Sequence, residues 1–517
     1  MQINGKLIKM KNKTFPIKKP AIKKSSKADL WAIIILIILI LDLQFFGMFG
    51  RTTFIRDWTI IFEGAYRINL GQIPFQDFYI PIGPVVFIMQ SFFNLFLGIN
   101  IYSMIIHSFI LSITLSLIFY YFVRKEFKPL TSFVFAFFFY LSFSGLSFHP
   151  FYNYTTYFFL FLNLFLILYY IKKDTLPIHV YILSAILVIL DFYTKQDTGA
   201  LHLVLIFIYF IINYRKDWKK IIFVYLLLSM ILLAGAFLAL STLEGFPYWF
   251  NLGQPPHNPN IQKFFDPYKI VFITSSWHFY IALLFIFLAL FTKINTNNKR
   301  IMSLFIVLAI THLISNTLSG STRQLSVMGL PLLIFFIYIL IKSYIKNLQK
   351  NHKISMFLIL LLILIVNVNP IPTYGLITLN YLNPNITHIQ EGCLKGMPIE
   401  KQHLEGLKEL REIIKDKNFI SLTEYNFLYC DYNIKPPTEI PLVFREGIHF
   451  YLQDIIPIAN KIIEQNQDII LIQNYHGHDH PDTHDKFINL FKEAGYKEIR
   501  VIEKTPSVGP IIVLEKE

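Results

Sequence analysis

Residues 56–84 read RDWTIIFEGAYRINLGQIPFQDFYIPIGP, and the rest of the chain is arranged around this stretch. It is too polar to cross a bilayer and too regular to be a passive connector. Asp57 stands where a helix begins, because a short carboxylate caps free backbone N–H groups. Trp58, Ile61, Phe62, Ala65, Ile68 and Leu70 then recur near helical spacing. Gly71 ends that helix as a C′ glycine. Pro74, Pro81 and Pro84 break up the remainder of the stretch, with Asp77 among them. The pattern predicts an amphipathic helix lying on a membrane surface, with carboxylates at or beyond its ends.

Composition places this loop in a membrane protein. The 517 residues are 54% hydrophobic and only 15% charged, against about 25% charged in soluble globular chains. Apolar runs long enough to span a bilayer recur through most of the sequence. The net charge of +14 does not indicate nucleic acid, because the basic residues cluster at the ends of apolar runs, where they report topology. Cys393 and Cys430 both fall in the polar C-terminal part, without metal-like spacing. If that part lies outside the cytosol, they either pair or stay as free thiols.

In chain order, residues 1–28 form a basic tail with nine lysines and no acid, and the positive-inside rule assigns it to the cytosol. Residues 30–49 make a first span, retained because no small-residue cleavage site accompanies it. Asp42 lies within that span and is either a functional acid or an interfacial one. Residues 85–98 are too short to span and read as re-entrant or interfacial. Further spans occupy 101–123, 129–148, 154–171, 178–193, 200–214, 221–243, 278–291, 301–318, 330–345 and 357–368. The basic clusters alternate along them, giving about eleven spans with the N-terminus inside and the C-terminus outside. From about residue 376 the pattern changes. Helix-like 403–415 precedes NFISL, 454–465 precedes DIILIQNY, and 485–494 closes at Gly495 before EIRVIEK and PIIVLEK. Alternating helix and strand patterns predict a small α/β domain. The expected fold is therefore a polytopic α-helical membrane module over 29–375, with its first outer loop at 50–84, and an extracytoplasmic α/β domain over 376–517.

The basic residues assigned to the outer side break the charge rule: Arg51, Arg56, Arg67, Lys195, Lys263, Lys269 and Arg323. Each either meets lipid phosphate or serves a site. Lys195, in FYTKQDTG, and Arg323, in SGSTRQLSVMGLP, stand at short outer turns between spans. Two cations converging there with outer carboxylates suit an anionic lipid headgroup and a proton acceptor. A sugar on a polyprenyl phosphate has a phosphate leaving group, whose growing charge needs cations, and an acceptor hydroxyl needs a carboxylate base.

These residues give a resemblance. The chain resembles the GT-C superfamily of polyprenyl-phosphate-sugar-dependent glycosyltransferases, which includes protein mannosyltransferases and lipid A aminoarabinose transferases. It resembles them over about residues 28–375, in a basic tail, one span, and a first outer loop with an acidic opening followed by Ala65, Leu70, Gly71, Pro74, Phe75, Asp77, Phe78 and Pro84. The resemblance implies Asp57 as general base or acceptor-positioning carboxylate, and Lys195 and Arg323 as holders of the lipid phosphate. It also implies direct displacement with inversion at the anomeric carbon. Many members have Asp-Glu where this chain has Asp57 and Trp58, so a divalent metal shared by adjacent acids is not required here. Glu63 is the substitute acid, or else only the i,i+4 partner of Arg67; Asp77 is the remaining candidate.

Other constellations have two readings each. HGHDHPDTHD holds His476, His478, Asp479, His480, Asp482 and His484, a zinc-capable density or a solvated loop. His149 and Asn153 come after an outward span and either touch sugar hydroxyls or cap and pack. Phe246, Tyr248, Trp249 and Phe250 are interface anchors or a stacking platform. The expected partners are a polyprenyl-phosphate-sugar donor, an envelope glycan, lipid or protein acceptor, and membrane lipids, with no nucleic acid. The rival reading is a transporter or flippase of lipid-linked sugars, which the scarcity of midplane charge disfavours. A sensor or scaffold whose outer domain binds a ligand is the third class.

Overall fold

The computed structural model describes residues 26–49, 57–80, 82–144, 149–249, 296–318, 328–344, 382–423, 425, 427–442, 452–473, 481–505 and 509–517. The expectations for the tail, for Arg51, Arg56, Lys263, Lys269, Phe250 and Arg323, for spans 278–291 and 357–368, for the 375/376 boundary and for His476, His478, Asp479 and His480 lie outside these residues.

The apolar runs fold as helices: α1 (Lys27–Phe49), α2 (Asp57–Asn69), α3 (Val85–Leu97), α4 (Ile101–Arg124), α5 (Pro129–Ser144), α6 (Tyr152–Tyr169), α7 (Ile178–Phe192) and α8 (Gln196–Asn213). A 27-residue helix, α9 (Arg215–Ser241), carries a π-helical stretch near its start. The short α10 (Phe246–Trp249), then α11 (Thr296–Leu318) and α12 (Leu330–Tyr344), complete the described helices of this part. The sequence signals explain the starts. Asn100 caps α4 by accepting from the Ser103 N–H at 3.1 Å, and Pro129 opens α5, where its missing N–H costs nothing. Helices α1, α4, α8 and α9 are long and apolar enough to cross a membrane; the apolar stretches of α3, α5, α7 and α12 are shorter. The protein is a multi-pass integral membrane protein.

Charged residues gather at one end of the bundle. Asp29, in the first turn of α1, accepts from Arg124 Nε at 2.5 Å and Tyr120 Oη at 2.9 Å. Asp217 accepts from the Leu176 N–H at 2.6 Å and from Lys220 at 2.9 Å. Arg300 donates to the carbonyls of Ile171 and Lys173, both at 2.8 Å, with its guanidinium 4.5 Å from the Tyr214 ring. Lys342 pairs with Glu126. The described members of these basic clusters thus lie at one end of the bundle.

The opposite end is built differently from the expectation. Helix α2 has the predicted bounds, and Gly71 comes after it at φ +80°. Yet α2 does not lie with a polar face on a membrane surface, because Trp58, Thr59 and every residue from Ile61 to Arg67 are buried. Its polar side is covered by a segment of the C-terminal part. Tyr66 Oη donates to the Ile434 carbonyl at 3.0 Å, Arg67 to that of Pro437 at 2.7 Å, and Gln72 to that of Pro436 at 2.8 Å. The pairing continues as parallel strands, β1 (Phe78–Tyr79) with β5 (Ile440–Pro441). The reason is local chemistry: a helix with buried polar groups needs protein partners once water is excluded.

The C-terminal part has the predicted α/β character. After the hairpin β2 (Ile386–His388) and β3 (Pro398–Glu400), a four-stranded sheet is ordered β4 (Phe419–Leu422), β6 (Ile469–Gln473), β8 (Ile511–Lys516), β7 (Tyr496–Ile502). β4 and β6 are parallel and the other pairs antiparallel. The helices α13 (Lys401–Ile414), α14 (Leu428–Asp431), α15 (Ile455–Glu464) and α16 (Pro481–Glu493) surround it. Ile420, Leu422, Ile470, Ile472 and Leu514 face one core with α15 and α16, while Phe419, Ile469, Leu471 and Val513 join the core that runs into the membrane part. Both faces are covered, which is why these strands read as unbroken apolar runs.

Cys393 and Cys430 form a disulfide, with Cα atoms 6.1 Å apart and 37 residues of separation. It sits beside the start of α4, where the Ile101 N–H donates to the Cys393 carbonyl at 3.2 Å. A loop of this length corresponds to about 4 kcal/mol in the chain-entropy account. Replacing both cysteines by serine is therefore expected to lower stability by about 2–5 kcal/mol, read as a drop in the unfolding midpoint of the full-length protein in detergent. The wild type should lose the same stability in reductant, and the serine variant should not respond to it.

Candidate functional site

The turn between α7 and α8 carries Lys195. α7 closes with Thr194 Oγ1 donating back to the Leu190 carbonyl at 2.8 Å, and Lys195 takes the extended N-cap conformation of α8. Gly199 makes the tight turn possible: a Cβ there would lie 2.2 Å from the Phe192 Cα. The Lys195 ammonium is 3.4 Å from Asp197 Oδ2 and 5.8 Å from the ring centre of Tyr152, which opens α6. Beside Tyr152 stand the buried Asn153 and the half-buried Phe151, and the Phe151 ring is 5.7 Å from that of His149. The fold thus brings Lys195 close to Tyr152 at the start of α6, at the end of the bundle opposite the basic clusters.

The first loop reaches the same turn. The Gly83 and Val85 N–H groups donate to the carbonyls of Thr194 and Tyr193, each at 3.2 Å. An added Cβ on Gly83 would fall 1.9 Å from the Tyr193 oxygen, so glycine is the residue that permits this approach. Aromatic rings fill the space alongside. Trp249 lies 5.8 Å from Phe75 and 5.3 Å from Tyr193, and Tyr248 stacks on Tyr79 at 5.1 Å. The rings of Phe246 and Trp249 are buried among one another rather than presented as an open platform. Phe75 adopts φ +67° to enter this cluster, a conformation bulky residues rarely take.

The acids have different surroundings. Asp57 is the first residue of α2. Asp77 is half-buried and closes its own turn, accepting from the Ile73 N–H at 2.6 Å, while its carbonyl accepts from the Glu439 N–H at 2.7 Å. Glu63 is sealed. Its Oε1 receives Arg67 Nε at 2.8 Å and Nη2 at 2.7 Å, and its Oε2 has no partner. Burial outweighs the attraction of Arg67 and pushes the Glu63 carboxyl up to about 7. Asp42, by contrast, is exposed on α1.

A further cluster escaped the sequence reading. Asp191, in the last turn of α7, accepts from Thr156 Oγ1 at 2.6 Å and pairs through its other oxygen with His202 Nδ1 on α8. Both side chains of this pair are buried. Each is a single polar letter in an apolar run, and only the turn between the helices brings them together. Among the described residues no group of three or more His, Cys, Asp or Glu side chains is placed to hold a metal ion.

The fold is similar to that of an archaeal oligosaccharyltransferase. The apo oligosaccharyltransferase of Archaeoglobus fulgidus matches with a TM-score of 0.50 at 12% identity, covering 88% of this chain and 70% of that one. ArnT from Cupriavidus metallidurans, bound to undecaprenyl phosphate, matches with a TM-score of 0.48 at 10% identity over 94% of this chain and 98% of its own. At such identities the similarity is one of fold. No protein-family model matches the sequence, and no curated protein matches it either.

The Glu63 environment gives a pH dependence with a definite sign. A carboxyl raised from 4.5 to about 7 in the folded state binds its proton more tightly there than in the unfolded chain. Its contribution is complete below about 4.5 and is lost as pH rises through about 7. The unfolding midpoint of the wild type should fall across that window more than that of Glu63→Gln. Parallel curves would show that the buried Glu63 carboxyl does not control this pH dependence.

Proposed function

We propose that this protein is a membrane glycosyltransferase that moves a sugar from a polyprenyl-phosphate-linked donor to an envelope lipid, glycan or protein on the outer face of the membrane. The observation that carries the reading is the junction at Lys195. A cation stands on a turn hydrogen-bonded to the first loop, at the end of the bundle away from the basic clusters, in a GT-C fold. The positive-inside rule puts the basic end in the cytosol. The Cys393–Cys430 bridge suits an oxidising exterior for the other end.

In this reading Lys195 and Arg323 meet the donor phosphate and offset the charge that grows as the sugar–oxygen bond breaks. Asp57 takes the proton of the acceptor hydroxyl as that oxygen attacks the anomeric carbon from the opposite face, which inverts it. His149 and Asn153 contact sugar hydroxyls. Asp77 and Glu63 hold the loop that presents Asp57; their bonds within that loop support this role over one as the base.

Membranes containing the wild type should transfer label from undecaprenyl-phosphate-linked sugars. Lys195→Ala should lower the rate about 10²-fold, and Asp57→Asn about 10²–10⁴-fold, with unfolding midpoints unchanged. Wild-type rates in both variants would reject these assignments. Net movement of the lipid across the bilayer without transfer would instead support the flippase reading.

A further inference from the structure

The Asp191–His202 pair has no part in the chemistry of sugar transfer, yet it occupies a commanding position relative to Lys195. Asp191 lies one helical turn before Lys195, whose N–H donates to the Asp191 carbonyl at 2.9 Å. Its carboxylate reaches both neighbouring helices: Oδ1 accepts from Thr156 on α6 at 2.6 Å, and Oδ2 accepts from His202 Nδ1 on α8. Three helices therefore meet on one side chain.

The same three helices define where the Lys195 ammonium sits. Tyr152, four residues before Thr156 on α6, places its ring 5.8 Å from Nζ. His202 stands two turns after Lys195 on α8. Between them Gly199 lets α8 touch the backbone of α7. Fixing Thr156 against Asp191, and Asp191 against His202, fixes the spacing of α6, α7 and α8 beneath the turn. A buried carboxylate with both oxygens engaged has few alternative arrangements, since losing either partner leaves an unsatisfied polar group in an apolar surround. His202 Nε2 and Asn153 Oδ1 are both buried and without a hydrogen-bond partner.

We infer that Asp191, with Thr156 and His202, is a positioning device for Lys195: a three-helix clamp that holds the cation where an anionic lipid headgroup meets it. The inference rests on Lys195 binding phosphate, the role proposed for it in sugar transfer. The clamp acts through Lys195 and does not itself touch the ligand. Loosening it therefore weakens phosphate binding only while Lys195 is present.

The test is a double-mutant cycle on the full-length protein in nanodiscs, with undecaprenyl phosphate as the probe and its dissociation constant as the readout. Lys195→Ala should weaken binding about tenfold or more, Asp191→Asn about tenfold, and Thr156→Val about threefold. Thr156→Val removes one hydroxyl at nearly constant shape, so it reports even if Asp191→Asn does not fold. In the Lys195→Ala background, each clamp substitution should change the constant less than about twofold. A merely structural role would weaken binding equally in both backgrounds, and that result would overturn the inference. So would wild-type binding by Thr156→Val and Asp191→Asn when Lys195→Ala is impaired. Wild-type binding by Lys195→Ala would overturn the phosphate assignment and the clamp together.

Discussion

The buried guanidinium of Arg67 is the constraint on which the first-loop end of this protein depends. It bonds Glu63 on its own helix, Gln72 after the helix, and the carbonyl of Pro437 in the C-terminal part. Its flat faces lie near the rings of Phe78 and Tyr429, with centroids at 5.5 and 5.9 Å. Taking such a charge out of water is costly unless its donors are all met. Three separate segments are therefore obliged to meet it. Tyr429 extends the connection, because its hydroxyl accepts from the Ser421 N–H at 2.7 Å in the central sheet. The first loop, the segment of residues 429–442 and the sheet form one hydrogen-bonded body through this residue.

That body is joined to the transmembrane helices by close backbone contact. Gly83 rests against Tyr193, and Gly245 against Phe75 and Tyr79, where an added Cβ would lie 2.0 Å from the Tyr79 ring. The Gly245 N–H donates to the Phe75 carbonyl at 2.6 Å. Lys461, on α15, reaches Glu244 at 2.7 Å and Tyr79 at 3.2 Å. Four parts of the chain far apart in sequence are thus linked, and two of them, the first loop and Trp249, touch the turn that carries Lys195. A site assembled from turns of several helices needs such bracing, because turns by themselves are the least constrained parts of a fold.

Much of this was legible in the sequence where the signal was local. The bounds of α2 follow from Trp58, Ile61, Phe62 and Ala65 at helical spacing and from Gly71, whose positive φ terminates it. The strands at Phe419–Leu422 and Ile469–Gln473 follow from their β-branched apolar runs between helical patterns. The turn that carries Lys195 follows from the polar break between two apolar runs. What the sequence did not reveal was tertiary. The polar face of α2 has the appearance of a water-facing side, and nothing within residues 56–84 indicates that a segment more than 300 residues away covers it. Asp191 and His202 have no shared motif; their pairing depends on how α7 and α8 turn, and on a glycine at residue 199. The rings of Phe246 and Trp249 gave the right location and an open choice of role, which packing against Phe75 and Phe192 decides.

The contact between Tyr66 and Tyr429 spans 363 positions. During ribosomal synthesis at about 5–20 residues per second, α2 emerges roughly 20–70 s before the carbonyls it needs exist. Over that interval Glu63 and Arg67 have only each other, Gln72 and water, so the nascent loop must stay hydrated at the bilayer surface. Assembly of this end is consequently a late, non-local event that comes after insertion of the helices. A chain interrupted before Pro437 leaves a membrane protein whose α2 is never covered.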